Sequence, residues 1–310
     1  MGKRAKREPA SGPGLTWQPG TGPDPQALAR MQQAAPKPSV VMGEAWFMGD
    51  DRKMFGYLGT TAVDQLSDSQ ITEALWEIAS GTSGFGHTDE WDDGFAYLLP
   101  RLIAIKQAPS DHKTIEMLAT AFFIHYPVRI HDWTYDEALH TLGQVIMGPS
   151  RWRDGRLNLD HVFNGRPASP HESWGWWDVC SDLSVSLFFG LKYLHPRDVK
   201  GWVESIFAIG DPHWRAQILL WLGLTRQIWD TGSAYPADLE NRAPQATWSE
   251  SFLLDARLAA PFIAEENRCA FKDALRPLLA LHLDDWRQSI AQIDYLEIEA
   301  LPSIVDIDNI

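Results

Sequence analysis

The chain has 310 residues and a mass of 35.0 kDa, and 45% of it is hydrophobic, so it has material for one large core or two ordinary ones. Its 41 acidic side chains against 27 basic ones give a formal charge of -14, which argues against a general binder of nucleic acid or of anionic membranes. No apolar run approaches the roughly 20 residues of a membrane helix, and the basic N-terminus lacks the apolar stretch of a secretory signal. The two cysteines, Cys180 and Cys269, imply neither a disulfide framework nor a Cys-rich zinc site, so a cytoplasmic setting is expected.

Residues 1–38 read as a disordered tail. Seven prolines from Pro9 to Pro38 interrupt it, with Gly12, Gly14, Gly20 and Gly22 among them. Such a segment buries too little apolar surface to offset its ordering entropy. The tail is basic, which leaves the rest of the chain more acidic still. From 39 to 310 a single helical domain is expected. Its first part, 39–66, reads as an arm of mixed character that packs on the body, with Trp46-Phe47-Met48 and Met54-Phe55-Gly56-Tyr57 flanking the polar turn at 49–52.

Helix pairs are predicted over 67–294. Ser67 and Gln70 have the spacing of a capping box, and Ile71, Leu75 and Ile78 repeat at helical period until Gly81, Gly84 and Gly86 end the run. The next helix covers about Asp92–Lys106, where Pro100 should kink or split it. A third starts near Ser110 and buries Ile115, Leu118 and Phe122. A fourth opens on a Thr134/Glu137 capping box and reaches Gly148. Residues 149–177 read as loop. From Asp178 to Leu194 the chain is apolar almost all round, the mark of a central helix. Pro196 and Pro212 suit the first turns of two more helices, the second capped by Asp211 and striped with Trp214, Ile218, Trp221, Leu222 and Thr225. After a loop at 231–248, two or three helices are expected from Ser249 to Asp294, and 295–310 reads as an acidic tail. The fold class is therefore all-α, either an irregular helical bundle or a degenerate HEAT-like α-solenoid of helix pairs. Units starting near 67, 110, 178, 211 and 264 match the roughly 40–47-residue HEAT period only once.

The familiar catalytic signatures are missing. The sequence has no G-x-x-x-x-G-K-[ST] loop, no G-x-G-x-x-G turn and no G-x-S-x-G elbow. His171-Glu172 starts an H-E-x-x-H pattern, but Gly175 stands where the second histidine must be. Two segments do concentrate chemistry. Asp89, Glu90, Asp92 and Asp93 follow His87, between a glycine-rich stretch and a helix. A first helical turn favours carboxylates through its dipole, so capping alone explains them, while a cationic partner is the sharper reading. Trp174, Trp176 and Trp177 with Asp178 and Asp182 form the second segment. Packing explains the indoles, and an aromatic, acidic surface that anchors a partner is the sharper reading.

His131-Asp132 is similar to the His-Asp pair of the HD class of all-helical metal phosphohydrolases. That resemblance is limited to the dipeptide and the helical background. It implies a cation held by His125 (or His112), His131, Asp132 and Asp178 (or Asp182), activating water and clamping phosphate. A wider resemblance is carried by Gly84-Phe85-Gly86-His87, Glu90-Trp91, Tyr97-Leu98-Leu99-Pro100-Arg101-Leu102, Trp174-Gly175-Trp176-Trp177-Asp178 and Pro212-His213-Trp214-Arg215-Ala216-Gln217. On these segments the chain resembles a group of uncharacterised bacterial helical proteins over residues 67–230. Acidic helical proteins of this size look like the immunity proteins that accompany bacterial polymorphic toxins. The resemblance implies a cytoplasmic, non-enzymatic binding protein that needs no cofactor and touches neither nucleic acid nor membrane. It would neutralise a toxin domain through Asp89, Glu90, Asp92, Asp93 and the 174–182 patch. The alternatives are the metal-dependent phosphohydrolase centred on His131-Asp132 and a structural scaffold.

Overall fold

A computed structural model of the chain describes residues 14–40, 42–44, 47–85, 88–105, 112–127, 133–158, 181–231 and 262–291. Among them are ten α-helices: α1 (Pro25–Ala34), α2 (Gly56–Thr60), α3 (Asp68–Phe85), α4 (Asp89–Ile105), α5 (His112–His125), α6 (Trp133–His140), α7 (Ser181–Tyr193), α8 (Pro196–Ala208), α9 (Pro212–Thr231) and α10 (Glu265–Ile290). Short 3-10 turns at Gly49–Lys53, Val63–Gln65 and Leu142–Met147 link them, and one two-residue hairpin pairs β1 (Trp152–Arg153) with β2 (Arg156–Leu157). The fold is an all-α bundle. α7 is its centre, as its apolar run predicts: Leu183, Val185, Leu187, Phe188, Phe189 and Leu191 are all buried, against α5, α6, the 142–147 turn and α10. α3 lies on α5, α1 on α4 and α6, and α10 on α8 and α9. A solenoid holds each repeat against its sequence neighbours only, whereas the N-terminal segment here returns to the middle of the chain.

Several predicted devices are present. The Ser67 amide donates to Gln70 Oε1 at 3.0 Å and the Gln70 amide to Ser67 Oγ at 3.3 Å, a reciprocal cap for α3. Pro196 and Pro212 open α8 and α9. Asp211 Oδ1 accepts the Trp214 amide at 2.9 Å, so Asp211 is a cap that also takes the Leu157 amide of β2 on Oδ2 at 3.3 Å.

Other expectations are corrected. Residues 14–38 are not part of a disordered tail, although 1–13 lie outside the described residues. Asp24 caps α1 by accepting the Gln26 amide at 2.8 Å, and Pro25 occupies the first turn. Leu15, Trp17, Leu28 and Met31 are buried in the core. Arg101 on α4 donates to the Ala35 and Gln32 carbonyls at 3.1 and 3.3 Å, closing the C-terminal end of α1, and Arg30 makes a two-bond contact with Glu137 at 2.6 and 2.9 Å. Glu137 is therefore engaged with Arg30. Pro100 does not split α4, which runs unbroken through it. The buried Pro100 ring removes one ladder donor, and the Arg101 guanidinium donates to the Tyr97 carbonyl at 2.8 Å.

Of the three glycines expected to end α3, Gly81 and Gly84 lie inside the helix, which reaches Phe85. Gly81 lets the edge of Trp91 approach, and a Cβ there would stand 2.5 Å from the ring. Part of the expected 149–177 loop is the hairpin, turned by Asp154 and Gly155 with φ of 53° and 74°. Two left-handed residues in a two-residue loop match the twist of paired strands, and an Asp-Gly pair supplies them. Of the two or three helices expected from Ser249 to Asp294, the described residues hold one, 265–290, which continues through the exposed Pro277, and 249–261 lie outside the described residues.

The same glycine device joins α7 to α8. A Cβ at Gly190 would lie 2.6 Å from Cζ2 of the fully buried Trp202. Gly190→Ala should cost about 1–3 kcal/mol through overpacking. Gly201, on the exposed side of α8 with open space around it, is the control. Gly201→Ala should be neutral or stabilise by up to about 1 kcal/mol. Urea unfolding of the two variants reads the difference, and equal midpoints would mean that the helices slide apart without penalty.

Candidate functional site

The carboxylate segment forms the first turn of α4. The Asp92 amide donates to the Thr88 carbonyl, so the helix ladder is already closed there. Aligned peptide dipoles leave partial positive charge at this end, which stabilises Asp89, Glu90 and Asp92 in the first turn. The buried Trp91 fixes the rotation of the helix, because its ring must enter the gap at Gly81. With Trp91 inward, Asp89 and Asp93 stand out in solvent and Glu90 is half-buried.

Asp92 turns to the neighbouring helix. His125, in the last turn of α5, places Nε2 3.1 Å from Asp92 Oδ1, with the imidazole only 2% exposed and the Asp92 side chain 42% exposed. The His125 ring packs 5.2 Å from Phe95 and 4.7 Å from Tyr126. A histidine at a helix C-terminus and a carboxylate at a helix N-terminus each complement the local dipole, so the pair suits this corner. Sequence reasoning placed Asp92 on a partner surface and His125 in a metal shell. The structure brings these two together with each other. His131, Asp132, Trp174, Trp176, Trp177 and Asp178 lie outside the described residues. Asp182 is in the first turn of α7, and its side chain is likewise outside them. Among the described residues no group of three His, Cys, Asp or Glu side chains is placed to hold a metal ion.

Two further features were not foreseen. A groove of about 490 Å³ lies beside α1, with Thr21, Pro25, Leu28 and Gln32 on one wall and Ala104 and Pro149 on the other. Among the described residues no titratable side chain lines it, so they offer a surface to fit rather than an acid or base. The other is a set of charged groups in the core, Glu116 and Lys192, both under a tenth exposed. Burial lowers the Lys192 ammonium to about 7. A lone lysine in an apolar helix run is the signal that marks it in the sequence. His213 is also held below the usual histidine range by burial, against the pull of Asp211. It stands beside the α9 cap, with Nδ1 3.8 Å from Asp211 Oδ1.

No protein-family model matches the chain, and neither a curated protein nor a solved structure does. No helix of the described residues is long and apolar enough to cross a membrane.

Proposed function

We propose that the protein is a non-enzymatic binding protein whose acidic α4 start meets a basic surface on a partner protein, and that the partner is a bacterial toxin domain which it neutralises. The observation that carries the reading is the pair of exposed carboxylates, Asp89 and Asp93, one turn apart on a helix end whose rotation Trp91 and the His125–Asp92 contact hold fixed. Fixed like charges at the surface of a chain of net charge -14 steer a cationic partner and need little reordering on contact. The resemblance to immunity proteins supplies the class of partner.

The test is co-expression with toxin effector domains encoded beside the gene. Growth should be restored by one of them, with a stable complex on gel filtration. Asp89→Lys combined with Asp93→Lys should slow association about tenfold at low salt, and the gap should close near 0.5 M salt as screening removes the attraction. Association equally fast in the parent and the double variant at low salt would sink the charge mechanism. A stoichiometric metal in the purified protein, lost in His131→Ala, would replace this reading with the metal-dependent phosphohydrolase.

A further inference from the structure

The C-terminal end of α7 is held by two side chains that have no part in the acidic corner. Asn267, in the first turn of α10, is 2% exposed, and its Nδ2 donates to the Leu191 and Leu194 carbonyls at 2.7 and 2.8 Å. These are carbonyls that the end of a helix leaves without donors. Lys192 reaches the other way. Its Nζ donates to the Phe262 carbonyl at 2.6 Å and lies 4.4 Å from the centre of the Phe262 ring. That ring fills a slot between Phe123 of α5, at 5.2 Å, and Phe188 of α7, at 6.2 Å. Residues 262–264 therefore enter α10 through a clasp with one arm on each side.

We propose that the Lys192 arm is proton-operated: a neutral amine holds Phe262 in its slot, and protonation loosens segment 262–264 while the Asn267 arm and the packing of α10 on α8 and α9 stay in place. An ammonium taken from water into an aromatic box loses its hydration. Among the described residues one carbonyl and two ring faces, Phe262 and, at 5.7 Å, Tyr193, replace only part of it. The amine is correspondingly held to about 7 in the closed state by burial, against an ordinary value of 10.5 once released to solvent.

Among the described side chains, the other titratable groups on the elements packed here do not share this task. Tyr193 donates to the Tyr126 carbonyl, and burial with its neighbours Tyr135 and Tyr126 pushes its phenol up. On α5, His125 is engaged with Asp92 and Glu116 is buried. On α6, Glu137 is engaged with Arg30, Asp136 is exposed and His140 is half-buried. On α10, Glu265 and Glu266 are exposed, Arg268 donates to the Asp230 carbonyl, and Lys272 pairs with the Asp230 carboxylate. The 142–147 turn carries no titratable side chain.

The sign follows from proton counting. Between about 7 and 10.5 the opened segment binds a proton that the closed one does not, so closure strengthens as pH rises, by about tenfold per unit, and below 7 it is constant. The clasp is weakest at neutral pH and below.

The experiment uses the full chain with Cys180→Ser and Cys269→Ser. One version carries Ile263→Cys at a fully buried site, and the other carries Ala264→Cys at the exposed neighbour. The ratio of their iodoacetamide labelling rates cancels thiol ionisation and reports opening. It should fall about tenfold per unit from pH 7 to 9. In Lys192→Met it should be flat, and in Asn267→Ala it should be raised at every pH with the slope kept. A flat ratio in the Lys192 protein overturns the proposal without any variant, which guards against Lys192→Met failing to fold. An unchanged slope in Lys192→Met overturns it as well.

Discussion

Trp17→Ala should destabilise the protein by about 3–5 kcal/mol, as large aromatic truncations in a core do. Trp17 is 2% exposed and packs edge-on against Trp202 at 5.4 Å and Trp214 at 5.9 Å. Trp214 in turn meets Trp152 of the hairpin at 5.5 Å. Trp17 therefore sits inside a column of indoles that joins the N-terminal segment, β1, α8 and α9. It is also tied at both ends of its own residue. Its Nε1 donates to the Gly143 carbonyl at 2.9 Å and its backbone amide to Ser205 Oγ at 2.9 Å. Alanine removes the ring and leaves the Gly143 carbonyl buried without that donor, so a cavity term and a polar term add. Trp17→Phe keeps most of the apolar contact and loses the indole donor, for about 1–2 kcal/mol. Urea unfolding should show lower midpoints at an unchanged slope in both variants. A Trp17→Ala midpoint within experimental error of the parent would mean that residues 14–24 contribute nothing to the folded core.

That segment shows where the sequence is hardest to read. Proline and glycine density argues for disorder when ordering entropy is weighed against local apolar content. The compensation for residues 14–38 is non-local: Trp17 on Trp202, Gly143 and Ser205, Arg30 on Glu137, and Arg101 on the end of α1. No window of the sequence contains both sides of those contacts. A local signal was nevertheless present, because Asp24-Pro25 followed by Ala27, Leu28 and Met31 is a cap, a first-turn proline and an apolar stripe. The central helix was legible for the opposite reason. A run without a polar face has only one place to go, and α7 is there. The hairpin at 152–157 hinged on one Asp-Gly pair inside a stretch rich in loop residues. At the candidate site the carboxylate turn was legible as a helix start. The contact of Asp92 with His125 joins residues 33 apart on different helices, and neither carries a periodicity that names the other.

Phe122→Ala should cost about 3–5 kcal/mol as well, and its consequences bear on the acidic corner. The ring has no solvent exposure and meets Phe95 of α4 at 6.2 Å, Tyr135 of α6 at 6.2 Å, and Phe189 and Tyr193 of α7 at 5.1 Å each. Tyr126, one turn on, lies 4.6 Å away. One side chain thus ties four helices together, mostly in the tilted and edge-on geometries that aromatic quadrupoles favour. His125 is three residues beyond it and rests on the same Phe95 and Tyr126 rings.

Stability and partner affinity should therefore separate in a definite way. Asp89→Lys with Asp93→Lys changes two exposed side chains and loses only the favourable charge at the α4 N-terminus, so stability should fall by about 1 kcal/mol, well short of Phe122→Ala, while low-salt association slows. Phe122→Ala should lower the midpoint strongly and yet leave the salt dependence of association unchanged wherever the variant is still folded. The surface charge proposed to steer the encounter is the same in Phe122→Ala and in the parent. Circular dichroism during urea unfolding gives the first quantity, and stopped-flow association over a salt series gives the second. If Phe122→Ala were to abolish the salt dependence while the fold survived, the orientation of the α4 end would itself depend on the aromatic core. The carboxylates would then act only through a geometry that Phe122 maintains.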